Sequence, residues 1–254
     1  MPIEAPGPGS RVSYLGIDFD LLDIDRVLAD LSRTEANSPY RYLVTPNVDH
    51  MVRLDGEGDG EVRAAYEAAD VRLCDSRILA LLARRAGLQL PVVPGSELTA
   101  RLLQNVIRPG DVVAIVGADT ALVTRMRALH PTVLFRHHQP PMGMRRDKAA
   151  MARAAAFVAE ARARFTFLAV GSPQQELLAH RVKSHGSAGG CALCIGAGLE
   201  FASGQRKRAP RVLQRLGLEW SYRLLQDPRR LWRRYLVEGP RIFSMHRRWR
   251  RERG

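Results

Sequence analysis

Six short apolar runs alternate with stretches of helical spacing over most of this chain. The runs are Tyr42–Thr45, Val71–Cys74, Val112–Val116, Thr132–Phe135, Phe165–Val170 and Cys191–Ile195. The helical stretches are Asp23–Ser32, Ser76–Ala86, Ser96–Val106, Asp119–Leu129, Asp147–Arg164 and Pro173–His185. Strands that alternate with helices at this spacing build βαβ units. The expected fold is α/β: a Rossmann-like parallel sheet with helices on both faces. Residues 1–10, with three Pro and two Gly, read as a loose leader, and Arg136–Arg146 reads as a loop. A break falls at Gly204–Pro210.

In such sheets ligands bind beyond the carboxyl ends of the strands, so the residues just after each run are the candidates for chemistry. Asp75 ends the second run. It could act as a general base toward a hydroxyl, or cap the helix beginning near Ser76. Thr45 and Asn47 flank Pro46; they could hold a sugar hydroxyl or form an ordinary turn. Asp49 and His50 lie close by and could titrate. Gly117 and Ala118 come after the third run. Gly171-Ser172-Pro173-Gln174-Gln175-Glu176 comes after the fifth and reads as a helix start with Pro173 at its first position. Gln174 and Gln175 project about 100° apart, so one can face a ligand while the other packs. A phosphate fits this helix start, although Glu176 opposes it. These small and polar residues on one rim suit a sugar or nucleotide.

Several chemistries lose support. No G-x-G-x-x-G fingerprint and no P-loop is present, which weakens hydride transfer and ATP hydrolysis. Cys191-x-x-Cys194 has no partner pair and lies in an apolar strand, against zinc or redox use. Asp18-Phe19-Asp20 has the letters of a metal-holding cluster but sits in a strand-like segment. No metal and no cofactor is expected. The three cysteines, an odd and sparse count, argue for a reducing compartment. No signal peptide is apparent, and no run approaches the ~18–20 apolar residues of a spanning helix.

Charge divides the chain unevenly. Of 39 Lys and Arg and 26 Asp and Glu, residues 205–254 hold 16 basic and 4 acidic, so nearly all of the +13 net charge lies there. Trp220, Tyr222, Trp232, Tyr235, Phe243 and Trp249 are interleaved with the arginines. From Trp232 the larger side chains keep helical spacing, and Pro240 should bend or restart that helix. The bland alternative is a helix packed on the body with a solvated Arg face. Arg with Trp on one amphipathic element suits an anionic partner that also has an apolar part. An anionic membrane surface fits; nucleic acid is the rival. We therefore expect a catalytic α/β domain over residues 1–204 and a basic amphipathic helical appendage over 205–254.

Several motifs, taken in order along the chain, point further. They are Thr45-Pro46-Asn47-Val48-Asp49-His50, Asp75, Gly95-Ser96-Glu97-Leu98, Gly171-Ser172-Pro173-Gln174-Gln175-Glu176, Arg208-Ala209-Pro210, Gly217–Leu224 and Pro228–Tyr235. Together these resemble the WecG/TagA/CpsF glycosyltransferases, from about Gly16 to Tyr235. The resemblance implies inverting, metal-independent transfer from a UDP-sugar to a polyprenyl-diphosphate-linked acceptor. The implied place is cytoplasmic, peripheral on the inner face of the bacterial plasma membrane, in cell-surface polysaccharide synthesis.

Under this resemblance Asp75 becomes the candidate base, with Thr45 and Asn47 beside it. Gln174 or Gln175 is implied in donor or acceptor binding. Arg223, Arg230 and Arg234 are implied in closing over the diphosphate. Gly95, Ser96, Gly117, Ala118, Gly171, Pro173, Glu200 and Arg208 complete the expected substrate-binding set. Two departures lie near the expected sugar site. Ser76-Arg77-Ile78 stands where the family commonly has Gly and soon Pro, and Glu200-Phe201 where it often has Asp-Phe. The donor stays open among N-acetylmannosamine, its uronic acid and glucose. No nucleic acid is expected as a partner, and a homo-oligomer is possible. The rival is a basic RNA-binding or non-catalytic α/β protein.

Overall fold

The computed structural model describes residues 10–56, 60–206, 209–210, 213 and 219–253. The described chain enters through an antiparallel hairpin, β1 (Arg11–Tyr14) and β2 (Ile17–Asp20). Leu15 and Gly16 both take positive φ, 52° and 79°, as a two-residue primed turn requires. Leucine seldom adopts that conformation, so the sequence carried only half of the turn signal. The hairpin is one of the elements that reading along the chain did not anticipate.

Alternation then begins. In order come α1 (Ile24–Ser32), β3 (Arg41–Val44), α2 (Val48–Leu54), α3 (Gly60–Glu67), β4 (Val71–Arg72), α4 (Arg77–Arg85), α5 (Gly95–Asn105) and β5 (Val112–Gly117). Next are α6 (Thr120–Leu129), β6 (Leu134–His138), a 3₁₀ turn at Met144–Arg146, α7 (Lys148–Ala161), β7 (Phe165–Ala169), α8 (Gln174–His185), β8 (Cys191–Cys194) and α9 (Gly198–Ala202). Six strands form one parallel sheet in the order β4-β3-β8-β7-β5-β6. The α/β parallel architecture is as expected.

Successive strand residues serve opposite faces. Leu43, Val113, Ile115, Phe165, Phe167 and Leu193 join one core with α1, α5, α6 and α9. Tyr42, Val44, Val116, Leu168, Ala192 and Cys194 join the other, with α2, α3, α4, α7 and α8. This is the pattern of strands buried on both sides.

Three boundaries differ from the sequence reading. β6 runs on through Arg136–His138, so the expected loop starts later; the pairing of Arg136 with Ala114 and His138 with Val116 extends the strand. β4 is only two residues long. There Arg72 is buried and its guanidinium donates to the carbonyls of Asp18, Tyr66, Glu67 and Ala69. Asp20 accepts from the backbone N–H of Arg72 and from Arg11, which gives Asp18-Phe19-Asp20 a structural role. The segment Val48–Leu54, absent from the expected helical stretches, forms helix α2.

The last described segment holds α10 (Glu219–Gln226), α11 (Pro228–Trp232), a π-helical turn over Arg233–Glu238 and α12 (Arg241–Arg251). Pro240 restarts the helix as expected. α12 packs on the body. Ile242, Met245 and His246 are buried, and the first two share the core of the hairpin and α2. Tyr14 Oη lies 2.9 Å from His246 Nδ1, and its ring meets Trp249 edge-on at 5.0 Å. Arg248 pairs with Asp55 at the end of α2. The expected stripe therefore splits: His246 and Trp249 face inward, while Trp232, Leu236 and Phe243 stay about half exposed.

This docking makes Met245→Ala costly. We expect a loss of ~2–5 kcal/mol in urea unfolding, as for other buried Met or Leu truncations. A change below about 0.5 kcal/mol would mean that α12 does not pack here.

His50 on α2 gives a second test. Burial, with Arg234 and Arg53 nearby, pushes its pKa from 6.5 down to about 3. Below pH 6.5 the unfolded chain takes up a proton that the folded chain refuses, so stability falls as pH drops toward 3. Between about pH 8 and pH 5 this one group should remove ~2 kcal/mol. His50→Leu should flatten that acid slope in chemical denaturation; an unchanged slope would contradict the buried neutral state.

Candidate active site

Parallel register brings the strand ends together. β4 continues beside β3, with Leu73 N–H donating to Val44 O and Asp75 N–H to Pro46 O, both at 3.0 Å. On the other side Val93 N–H donates to Cys74 O at 2.9 Å. Asp75 is thereby set between the Thr45–Asn47 strand end and the segment entering α5. A methyl group placed on Gly95 would lie 3.1 Å from Thr45 Oγ1 and 3.7 Å from Asp75 Oδ2. Gly95 is thus a close neighbour of both, and any larger residue would press on them.

The capping alternative for Asp75 is settled by Ser76. Its hydroxyl accepts from Leu79 N–H and caps α4. Asp75 instead lines a cavity of about 380 Å³. Asn47 lines it too, although its Oδ1 accepts from the N–H groups of Asp49 and His50 and so caps α2. Thr45 is buried, with its hydroxyl donating to Cys194 O at 3.4 Å.

The opposite wall comes from the end of the chain. Trp220, Arg223, Arg234, Tyr235, Leu236 and Phe243 line the same cavity. Arg223 lies over the Phe201 ring at 5.1 Å. Arg234 Nη2 lies 3.2 Å from Asp49 Oδ2. Trp220 and Tyr235 approach at 6.1 Å between ring centres. The cavity lining therefore combines charged and polar groups with apolar ones, among which Leu236 and Phe243 are about half exposed. Arg77, at the first turn of α4, also lines it and is exposed.

The remaining expected residues lie elsewhere. Ser96 stands beside Gly95 in the first turn of α5. Gly117 and Ala118 turn the chain at the end of β5 with φ of 91° and 60°. A side chain at Gly117 would strike Ala169 O at 2.7 Å, so glycine there serves strand packing. Gly171 and Pro173 precede α8; Pro173 stands one position before it rather than at its first residue. Gln174 bridges Val170 O and Arg145 N–H. Gln175 is buried, donating to Glu176 Oε1 at 2.8 Å and accepting from Gly196 N–H at 3.0 Å.

Both glutamines are thus engaged with the protein itself. Glu176 is buried as well; burial raises its pKa, while bonds from Gln175 and Tyr66 oppose that. Glu200 on α9 pairs with Arg206 at 3.1 Å. Arg208 and the side chain of Arg230 lie outside the described residues.

Sequence reading passed over Arg53 and gave no role to Trp220 and Tyr235 beyond a lipid-facing stripe. Arg53 stands four residues after Asp49 on α2, a spacing that signals an ion pair once the helix is recognised. Among the described residues no three His, Cys, Asp or Glu side chains cluster as a metal site would need. No described helix is long and apolar enough to cross a membrane.

The family model "Glycosyl transferase WecG/TagA/CpsF family" matches residues 12–254. Proteins of Staphylococcus aureus strains MW2 and NCTC 8325 are each 25% identical over 247 residues, 92% of this chain and 91% of theirs. Both carry the name N-acetylglucosaminyldiphosphoundecaprenol N-acetyl-beta-D-mannosaminyltransferase. With a match over nearly its whole length, the chain belongs to the WecG/TagA/CpsF family of glycosyltransferases.

Proposed function

We propose that this enzyme moves a hexose or N-acetylhexosamine from a UDP-sugar to an N-acetylglucosamine carried on a polyprenyl diphosphate. The acceptor is taken from the name of the Staphylococcus aureus relatives, as is N-acetylmannosamine as the first donor to try. The observation that carries the reading is one cavity with a carboxylate, Asp75, on the body side and two guanidinium groups, Arg223 and Arg234, on the tail side.

The chemistry is a direct displacement. The acceptor hydroxyl attacks the anomeric carbon, and its proton passes to the Asp75 carboxylate. The bond from that carbon to the diphosphate oxygen breaks, and UDP leaves from the opposite face with the electron pair. Charge grows on the diphosphate as it departs. Arg223 and Arg234 are preorganised cations where that charge develops, and this reading needs no metal.

The lipid side of the substrate finds a counterpart as well. Leu236 and Phe243 of the cavity lining are exposed, as are Trp232 and Val237 in the same arginine-rich segment. Such a surface suits the headgroup boundary of an anionic bilayer, where the acceptor's chain is anchored. We place the enzyme on the cytoplasmic face of the membrane for that reason.

Asp75→Asn removes the proton acceptor and keeps the shape. Turnover should fall by about 10²–10⁴ while UDP affinity stays nearly the same. Wild-type turnover in that variant would take the base role away from Asp75.

A further inference from the structure

Asp49 stands between two cavities and lines both. One is the cavity of Asp75; the other, about 420 Å³, is walled by Val52, Arg53, Arg233 and Arg241 among others. A single oxygen of Asp49 serves two arginines. Oδ2 accepts from Arg53 Nη2 at 3.1 Å and lies 3.2 Å from Arg234 Nη2. Arg53 Nη1 in turn donates to Ser172 Oγ at 3.0 Å. A continuous chain of contacts thus runs from the loop before α8, through α2, to the cavity wall supplied by the end of the protein.

Arg234 has few other anchors. Its Nε is buried without a hydrogen-bond partner among the described residues, and its guanidinium lies 5.8 Å from the Tyr235 ring centre. His50, next to Asp49, is neutral at working pH and adds no charge to the cluster. The Asp49 side chain is 14% exposed and that of Arg234 34%, so the pair is part-buried and screened less than a fully exposed one.

We infer that Asp49 is a positioning residue: it holds the Arg234 guanidinium in the cavity wall, and Arg53 with Ser172 holds Asp49. The inference rests on the proposed function, in which Arg234 meets the departing diphosphate. It also gives the Gly171–Glu176 motif a part in the site at one remove, through Ser172 rather than through its glutamines.

The test is a double-mutant cycle on kcat/KM for the UDP-sugar, with Asp49→Asn, Arg234→Met and the pair. Asp49→Asn should cost about 10–100-fold, the scale of a displaced catalytic group. In the Arg234→Met background the same change should cost no more than about 2-fold, because its target is gone. Arg53→Gln should behave likewise with a smaller loss, and Asp49→Glu should recover part of the activity.

A purely structural Asp49 would lose the same factor in both backgrounds, and that result overturns the inference. The arginine Nε–H NMR signal supplies a readout independent of turnover. The Arg234 signal should broaden or vanish in Asp49→Asn while that of buried Arg164, paired with Asp111, is unchanged. An unchanged Arg234 signal also overturns the inference. If the wild type turns over no UDP-sugar, the proposed function fails, and the NMR comparison still decides whether Asp49 holds Arg234.

Discussion

Everything at this site depends on the end of the chain docking against its beginning. The Asp75 cavity has one wall from strand ends and another from α10, the π-helical turn and α12. The second wall stays in place because α12 buries Ile242 and Met245 in the core of the hairpin and α2. The Tyr14–His246 contact and the Arg248–Asp55 and Arg234–Asp49 pairs fix its register on that core. Apolar burial supplies the bulk of such an attachment, and the ion pairs choose its geometry. Helix α2 is the common element: it carries Asp49 and His50, ends at Asp55, and is capped by Asn47 from the cavity rim.

The site built in this way combines two solvents in one space. Asp75, Asn47, Asp49 and the arginines supply a polar lining; Trp220, Tyr235, Leu236, Ile242 and Phe243 supply an apolar one. A lipid-linked diphosphate sugar has the same division, a charged and hydroxylated head on an apolar chain. Guanidinium groups suit the head because they stay charged and present several donors to phosphate oxygens. Two of the apolar lining side chains, Leu236 and Phe243, are also about half exposed. The π-helical turn sets this arrangement locally. Gly239 N–H donates to Arg234 O at 2.8 Å, and a methyl group at Gly239 would lie 3.1 Å from the carbonyls of Arg234 and Tyr235.

Much of the fold was legible because strands buried on both faces read as apolar runs, and helices between them as periodic stretches. The hairpin was not, because Leu15 in a left-handed conformation leaves no signature. At the site, Asp75, Thr45 and Asn47 were legible as polar residues ending apolar runs, and parallel register gathers such ends. Gln174 and Gln175 looked like ligand contacts for the same reason. Their partners, Arg145, Val170, Glu176 and Gly196, come partly from distant loops that spacing along the chain cannot reveal. The arginines were visible as charge density, but which of them turn inward was fixed by tertiary packing. Arg234 faces the cavity because Asp49 waits there.

Sugar transfer is proposed at the junction of body and tail. Its most direct measurement is a mass-spectrometric assay of wild-type protein with a short-chain polyprenyl-diphosphate N-acetylglucosamine and a panel of UDP-sugars, UDP-N-acetylmannosamine first. A lipid product heavier by one hexose or N-acetylhexosamine is expected, with one UDP released per product. Folded protein that yields neither product nor UDP with any donor of the panel would contradict the proposal.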